Sequence, residues 1–488
     1  MSFWRHALLS TLFLFFGICS PILSVILPAG QSEYRFLYEA LRRGEVMGGY
    51  REYNYNVAPY RLDGYAGDVR QPLLIFLSAE DKPGGLILFS EDYRSEKYSR
   101  AKAFESARFG VSAAPKENLF MYADFTLNEE MADDSEYRGK KWRGLAGEME
   151  TALIAYYWKK HTIIFGRFAS FWGPTWESLI LSGDAKPMDG ISVRVHWGRL
   201  DFTYQFAVLE RLQEFESRET TFENRYFSGH RLDFRIFDNL NLGLFETIVF
   251  GGPGRGLEFS YLNPIMSYHA AQVNADIDDN TLLGMDLCYY AGDRHKIYGQ
   301  FLIDDFQIDD EDRGDNEPHE TAFIMGVHSV DWWDFFDIKA DYLRIANRTY
   351  NQFYERNRYA NRGELIGNAL GPDSERWSLA LIKWFDDRKR ASLNLEYTRK
   401  GEGRYDDEWT EPWHKIDDYR ESFPTGVVEK SWLIYVRAAG FYRELVFFDI
   451  NLGFESVKNY AHLADDDRTI PFVSFRASLI LSSLTNIL

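Results

Sequence analysis

Apolar and polar residues alternate along much of the chain from about residue 84 onward. One clear pair of alternating segments is joined by a short turn at residues 197–199, and its apolar positions are Ile191, Val193, Val195, Phe202, Tyr204, Phe206 and Val208. Successive side chains of a strand point to opposite faces, so a period of two predicts strands with one apolar face. The chain is therefore predicted to be all-β in this region.

Such pairs repeat, each with a short polar turn and each followed by a long polar connection. Short turns are predicted at or near residues 160, 198, 238–239, 292–293, 331–332, 387–388 and 440. Long connections are predicted over residues 169–190, 210–228, 251–280, 305–321, 346–374, 400–429 and 455–470. Less regular strands near Leu86, Phe104 and Leu119, and a closing strand from Phe472 to Leu481, bring the total to about 16 to 18.

Short turns and long connections alternate strictly, which is typical of barrels that span a bacterial outer membrane. In such barrels the short turns face the periplasm and the long loops face outside. A soluble β-sandwich, the alternative, has no reason to sort its connections in this way. We therefore predict a transmembrane antiparallel β-barrel over residues 84–488, located in the outer membrane with its loops exposed at the cell surface.

The first residues predict an exported protein. Residues 1–6 are short and carry Arg5, and residues 7–27 are almost wholly apolar, which is the layout of a secretory signal peptide. We assign residues 1–30 to this signal peptide. The cleavage site is left open, and a retained membrane anchor is the alternative.

Residues 31–83 precede the barrel and begin with a predicted amphipathic helix. Its start is predicted at Ser32, its end at residues 42–44, and its apolar face consists of Tyr34, Leu37, Tyr38 and Leu41. The helix either plugs the periplasmic end of the barrel or packs on its rim. The sequence alone leaves both arrangements open.

The composition agrees with a barrel. Aromatic residues make up 17% of the chain, yet the mean hydropathy is −0.36, and a barrel reconciles the two because only alternate strand residues face lipid. Once the signal peptide is removed, Cys288 is the single cysteine, so no intramolecular disulfide can form. The net charge of −19 argues against nucleic acid as a partner, since phosphate binding needs clustered positive charge.

Several motifs fall near the ends of the predicted strands. They are Arg167, Trp172-Gly173-Pro174, Leu181-Ser182, Arg225-Tyr226-Phe227-Ser228-Gly229-His230-Arg231, Tyr261-Leu262-Asn263-Pro264, Asp278-Asp279-Asn280, Tyr298-Gly299-Gln300 and Asp304-Asp305-Phe306. In this combination and order the chain resembles the Wzi family of outer-membrane capsule-assembly proteins. The resemblance covers about residues 166–306, is looser at the helical start and has little motif-level match beyond residue 320.

This resemblance implies a barrel of about 18 strands with helices on the periplasmic side. It also implies a lectin-like protein that binds capsular or exported polysaccharide and holds it to the cell, and it does not imply catalysis. We expect neither an enzyme nor a cofactor. We further expect a monomer in contact with outer-membrane lipid and lipopolysaccharide. The alternative function is that of a substrate-specific porin or transport channel, and the motif residues receive no individual role from the sequence.

Two other interpretations of the motifs are weaker. Ser228, His230 and Asp233 offer the residue types of a hydrolase triad, but a triad depends on geometry, and no Gly-x-Ser-x-Gly pattern surrounds Ser228. The acidic residues at 276–280 and 304–312 resemble ligands of a hard cation, but they lack the glycine and the glutamate at the offsets of a calcium loop. We therefore predict neither a catalytic site nor a metal site.

One predicted external loop combines arginines with aromatic residues, namely Arg344, Arg348, Tyr350, Phe353, Tyr354, Arg356, Arg358, Tyr359 and Arg362. Aromatic faces pack against sugar rings, and guanidinium groups pair with carboxylates or phosphates, so the loop suits an acidic polysaccharide. Pairing with the acidic loops or with lipopolysaccharide phosphates is the alternative. Trp409 and Trp413 in the next loop either extend this surface or belong to an aromatic membrane girdle.

The predicted barrel leads to an expected gel behaviour. The hydrogen bonds that close such a sheet resist detergent at low temperature, so the unboiled protein should migrate differently from the boiled protein. Identical migration, or recovery of the protein in a soluble periplasmic fraction, contradicts the barrel.

Overall fold

A computed structural model of the chain describes residues 32–48, 56–58, 84–94, 102–116, 118–134, 137, 139–216, 219–305, 317–416, 419–442 and 446–482. The predicted signal peptide over residues 1–30 lies outside these residues. Phe306 and the acidic residues 309–312 of the predicted motifs also lie outside them.

Eighteen antiparallel strands of the described chain form one closed barrel. They are β1 (Gly84–Arg94), β2 (Lys102–Lys116), β3 (Leu119–Asn128), β4 (Leu145–Trp158), β5 (His161–Phe168), β6 (Met188–Trp197), β7 (Leu200–Val208), β8 (Glu219–Phe237), β9 (Leu240–Gly252), β10 (Asn280–Ala291), β11 (His295–Asp305), β12 (Glu320–Trp332), β13 (Phe336–Ile345), β14 (Ser374–Asp386), β15 (Lys389–Lys400), β16 (Glu429–Tyr442), β17 (Val446–Lys458) and β18 (Arg468–Ser482). The last strand pairs with the first, with Leu86 opposite Ser482. The predicted barrel is therefore confirmed.

The barrel wall has one apolar outer face and one polar inner face. On β4, Ile154, Tyr156 and Trp158 are exposed, while the alternate residues Ala155 and Tyr157 are buried. This is the alternation of a barrel whose outer surface contacts lipid. Among the described residues, no helix is long and apolar enough to cross a membrane.

Two predicted boundaries differ in the structure. Gly440, near which a turn is predicted, lies inside β16 and pairs with Phe448; a side chain there would collide with the carbonyl oxygen of Arg388. The long connection predicted over residues 210–228 is replaced for most of its length by a hairpin. In this hairpin Leu212–Glu216 pairs with the first residues of β8, which satisfies backbone groups that a loop would leave to water.

The predicted N-terminal helix is present as α1 (Ser32–Gly48) and lies inside the barrel near the short turns. The Phe36 ring packs within 6 Å of Trp384, Phe441 and Phe447, which flank two of these turns. Arg43 bonds to Asp331 at 2.7 Å beside a third turn. The helix is thus a plug at the periplasmic end and does not pack on the rim.

The helix continues past its predicted end at Gly44 because a buried ion cluster follows. Glu45 accepts hydrogen bonds from Arg42 at 2.7 Å and from Lys296 at 3.1 Å, and Tyr290 donates to it as well. Burial alone would raise the pKa of Glu45, but Arg42 and Lys296 hold it at about 2. The carboxylate therefore stays charged and fixes the C-terminal half of α1 to the barrel wall.

A second segment enters the barrel from the opposite end. Residues 169–187, which connect β5 to β6, fold into the lumen, where Phe171 and Trp172 pair with residues 57–58. Arg42 donates to the carbonyl oxygen of Gly173 at 3.0 Å, so this inner loop meets the N-terminal segment directly. The lumen is filled from both ends by parts of the same chain.

Replacing Leu37 and Leu41 together by Asp should loosen the plug. Both side chains are buried, and burying a charge against an apolar partner costs several kcal/mol. We expect a lower melting temperature and a higher single-channel conductance in planar bilayers. The control is Met47→Asp, which changes an exposed residue of the same helix. Unchanged conductance and melting would show that α1 does not seal the barrel.

Candidate functional site

The predicted arginine-rich loop lies at the extracellular mouth of the barrel, between β13 and β14. It contacts the described residues of the neighbouring loop, 401–416 and 419–428. The predicted set of residues separates into three groups: side chains inside the barrel, side chains that join loops, and side chains at the surface.

Two of the predicted aromatic residues lie inside. Tyr350 and Tyr359 are fully buried, and their rings stack with centroids 5.9 Å apart. Their hydroxyls donate to the carbonyl oxygens of Leu179 at 2.6 Å and Ile180 at 3.0 Å, both on the inner loop. These two rings therefore hold the outer loop to the inner loop and do not face an external ligand.

Three of the arginines join neighbouring parts of the mouth. Arg348 bonds to Glu421 at 2.7 Å and lies over the ring of Trp413. Burial alone would lower the pKa of Arg348, but the Glu421 carboxylate outweighs this effect and raises it. Arg344, on β13, lies over the ring of Phe423 at 3.9 Å, and Arg362 bonds to Glu148 at 2.5 Å. Each arginine therefore contacts a residue from another part of the mouth.

Trp413 is buried under Arg348, with Trp409 packed edge-on against it at 6.3 Å. Both tryptophans therefore belong to the mouth of the barrel and not to a lipid-facing girdle. They support the loops from beneath.

The remaining residues form an outer surface that we call the outer platform, with two exposed rings and two half-buried arginines: Phe353, Tyr354, Arg356 and Arg358. Phe353 is 60% exposed and Tyr354 37% exposed, and their rings meet edge-on at 4.9 Å. The Arg356 guanidinium lies 3.9 Å above the Tyr354 ring, and its Nε is buried without a hydrogen-bond partner among the described residues. Arg358 already has a partner within the protein, since it donates to the carbonyl oxygen of Asp407 at 2.7 Å.

Arg225, one of the motif residues, holds the outer platform from inside the barrel. Its guanidinium donates to the backbone carbonyl oxygens of Arg356 at 2.6 Å, Arg358 at 2.6 Å and Ala360 at 3.0 Å. The loop backbone is thereby fixed while the side chains of the outer platform stay outside. The sequence analysis did not assign this role to Arg225, because its partners are more than 130 residues away in the chain and no local pattern indicates them.

Other motif residues also serve as internal supports. Asn280 donates to the carbonyl oxygen of Asn357 at 2.9 Å, and Asn357 donates to that of Asp278 at 2.5 Å. The Asp304 carboxylate accepts the backbone N–H of Tyr350 at 2.5 Å. Asn357 and Asp373 were missed by the sequence analysis; Asp373 accepts from the backbone of Gly403 at 3.0 Å and of Thr425 at 2.9 Å.

Two motif arginines form ion pairs in the barrel wall. Arg231 is fully buried in the lumen, where it bonds to Asp233 and to Asp286 at 2.6 Å. Arg167 bonds to Asp189 at 2.8 Å near the extracellular end.

The acidic motif residues are not gathered into one group. Asp279 bonds to Arg255 at 2.5 Å and accepts from the Tyr261 hydroxyl at 2.9 Å, while Asp305 is exposed at the end of β11. Within the described part of the chain, no group of three or more His, Cys, Asp or Glu side chains is arranged to hold a metal ion.

The residue types of a hydrolase triad are separated by the barrel wall. The hydroxyl of Ser228 donates to the carbonyl oxygen of Tyr261 at 2.7 Å, and His230 lies 3.1 Å from Glu246. Asp233 points into the lumen, where it pairs with Arg231. Ser228 and His230 share the outer face, as their strand parity predicts, but Asp233 does not join them. Asn263 and Pro264 lie close by, in the connection between β9 and β10, with Pro264 exposed.

Comparison with known proteins identifies the family. The family model of the capsule assembly protein Wzi matches residues 97–470 of the chain. Among solved structures, Wzi of Escherichia coli, described as a carbohydrate-binding β-barrel of the outer membrane involved in group 1 capsule assembly, is 14% identical with a TM-score of 0.62, over 93% of this chain and 99% of that chain. No curated protein sequence matches the chain.

Two barrels of Pseudomonas aeruginosa are more distant. OprD is 11% identical with a TM-score of 0.46, over 82% of this chain and 96% of that chain. OccD3 is 8% identical with a TM-score of 0.48, over 82% and 92%. The family match and the closed barrel place the present protein in the bacterial outer membrane.

Replacing Arg225 by Ala should release the outer loop. The change leaves three carbonyl oxygens without their charged donor, and each hydrogen bond to a charged group is worth about 1.5–3 kcal/mol. We expect trypsin to cut the folded variant after Arg356 or Arg358 at least tenfold faster than the parent, as followed by mass spectrometry. The control, Arg199→Ala, removes an exposed arginine at the opposite end of the barrel. Equal cleavage rates would contradict the supporting role of Arg225.

Proposed function

Because this chain belongs to the Wzi family of capsule assembly proteins, we propose that it binds capsular or exported polysaccharide at the cell surface and holds it there. It acts as a lectin, without catalysis. The E. coli Wzi barrel, which shares this fold, is described as carbohydrate binding.

The exposed aromatic pair of the outer platform is the observation that carries this proposal. Phe353 and Tyr354 expose aromatic ring surface to the outside at the mouth of a membrane barrel. Rings of this kind pack against the apolar faces of sugars. Their position above the membrane favours a polymer that lies outside the cell.

Arg356 supports an acidic polysaccharide as the ligand. Its guanidinium is held on the Tyr354 ring, and its side chain remains 22% exposed. A carboxylate or phosphate on the glycan can reach this exposed part and form a charge-assisted hydrogen bond with it. The contact to Glu223 at 3.9 Å is too long to satisfy the guanidinium fully.

Retention of a polymer does not need a tight single site. A repeating glycan brings many copies of the same unit to one cell and to many barrels, so weak contacts add through effective concentration. The protein is proposed to act as a monomer, because a closed barrel leaves no strand edge to pair with another copy.

A porin is the second candidate function, and the filling of the lumen speaks against it. The plug helix and the inner loop meet inside the barrel. A cavity beside α1 measures about 140 Å³ and is lined by charged side chains that include Arg35, Glu177 and Arg376. Glu177 pairs with both arginines and so ties α1 and β14 to the inner loop across this cavity. We propose that the resting barrel does not conduct small solutes.

Truncating the outer platform should reduce polysaccharide retention. Phe353→Ala with Tyr354→Ala removes stacking worth about 1 kcal/mol per ring, so binding of purified glycan should weaken roughly fivefold per ring at all salt concentrations. Arg356→Ala should weaken binding mainly at low ionic strength, because salt screens the charge contact. Cell-bound and released polysaccharide are measured separately, together with binding to the purified glycan.

The matched control is Trp333→Ala with Phe335→Ala, which removes two exposed aromatic rings at the periplasmic end. Surface display of every variant is checked by antibody on intact cells and by the gel shift of the unboiled protein. If correctly displayed platform variants retain polysaccharide and bind the glycan as the parent does, the outer platform is not the binding site.

A further inference from the structure

The connection between β9 and β10, residues 253–279, runs along the outside of the barrel. We call this segment the strap. Its position follows from the parity of β8. Arg225, Phe227 and Arg231 point into the lumen, because they contact the outer loop, the inner ring of Tyr359 and the buried Asp286. Tyr226, Ser228 and His230 alternate with these residues and therefore point outward.

The neighbouring strand β9 gives the same result. Tyr226, Ser228 and His230 stand directly opposite Phe250, Ile248 and Glu246. Directly opposed residues of an antiparallel pair share one face of the sheet. All six side chains therefore lie on the outer wall, at positions where a barrel normally meets lipid.

The strap covers this part of the wall. Tyr261 and Tyr268 of the strap are fully buried against Tyr226, Ile248 and Phe250. The Ser228 hydroxyl bonds to the carbonyl oxygen of Tyr261 at 2.7 Å. The strap is thus packed and hydrogen-bonded onto the outer surface over several residues of each strand.

A polar latch fixes the strap near the middle of β9. Glu246 lies 3.1 Å from His230 and accepts the backbone N–H of His269 at 2.7 Å and the hydroxyl of Ser267 at 3.3 Å. Glu246 is buried, although it stands on the lipid-facing side of the wall. A carboxylate at such a depth is costly in lipid, and the strap supplies its partners and shields it.

The strap also exposes several large apolar side chains. Phe259 is 89% exposed and Ile265 84% exposed, and Leu257 and Val273 are exposed as well. The wall beside the strap continues the apolar surface, with Leu244 of β9 and Met285 and Leu287 of β10 exposed on the outward parity. The apolar side of the strap is therefore continuous with the lipid belt of the barrel.

We propose that the strap is a lipid-binding element whose exposed apolar side chains insert among the acyl chains of the outer leaflet. Continuity with the lipid-facing wall selects acyl chains over a protein partner. The segment lies on the barrel at membrane level, in the manner of an interfacial amphipathic element.

The strap also connects the lipid to the outer platform. Its last residues reach the loop through Asp278, whose carbonyl oxygen accepts from Asn357 at 2.5 Å, and Asn280 at the start of β10 bonds to the same residue. Asn357 precedes Arg358 in the chain. The depth of the strap in the leaflet therefore sets one support of the platform backbone.

Lipid contact is tested by fluorescence quenching in the full-length protein. Cys288, the single cysteine outside the predicted signal peptide, is replaced by serine, and a new cysteine is placed at Phe259 or Ile265 and labelled with bimane. The protein is reconstituted into dioleoylphosphatidylcholine vesicles with and without brominated acyl chains. We expect brominated lipid to lower the fluorescence at both positions at least twofold, as at the lipid-facing control Leu287→Cys, but not at the external control Phe353→Cys.

Folding of each labelled protein is verified by the gel shift of the unboiled sample, and both strap positions are exposed, so the label does not need to enter the core. Quenching at the strap no stronger than at Phe353→Cys would overturn the proposal. So would quenching that appears only when the protein-to-lipid ratio is raised, since that result would identify a second copy as the occupant.

The latch has its own variant. Glu246→Ala removes the acceptor for His230, Ser267 and His269, so the strap should detach and the label at Phe259→Cys should become at least twofold more accessible to iodide in water. The control is Asp238→Ala, in the short turn at the other end of β8. If iodide reaches the label equally in the parent and in Glu246→Ala, the latch does not hold the strap in the leaflet.

Discussion

Charged side chains are buried inside this barrel, where each of them needs a partner, and this constraint shapes the rest of the molecule. Glu45 of α1 is paired with Arg42 and Lys296, and Arg42 in turn reaches the backbone of the inner loop. A buried ion left alone costs far more than a paired ion contributes. The plug, the inner loop and the wall are therefore joined through this buried cluster of ions.

The outer wall obeys the opposite constraint, since a polar group there faces hydrocarbon. His230 and Glu246 are tolerated because the strap covers them with its own backbone and with Ser267. The same strand thus carries Arg231 to a paired position in the lumen and His230 to a covered position outside. The polar side chains on both faces of β8 therefore find their partners outside the strand, with Asp286 on the inner face and with Glu246 and the strap on the outer face.

This division explains what the sequence could predict. Period-two alternation reports strands and, with the sorted turn lengths, the barrel and its orientation. It does not report which parity faces inward, so the outward placement of Ser228 and His230 was not assigned. Glycine misled twice: Gly440 permits close approach of a neighbouring backbone inside a strand, and Gly44 lies in a helix that the buried Glu45 cluster prolongs. The arginine-rich loop was located correctly, but composition cannot separate the buried Tyr359 from the exposed Tyr354.

Arg225 holds the outer loop through three hydrogen bonds, and all three are made to backbone carbonyl oxygens. A backbone carbonyl group is present whatever side chain the residue carries, so these hydrogen bonds from Arg225 do not depend on the side chains at positions 356 and 358. The frame can therefore stay rigid while the exposed side chains are exchanged. In such an arrangement, substitutions at the tip of the loop can change the ligand preference without a cost in folding.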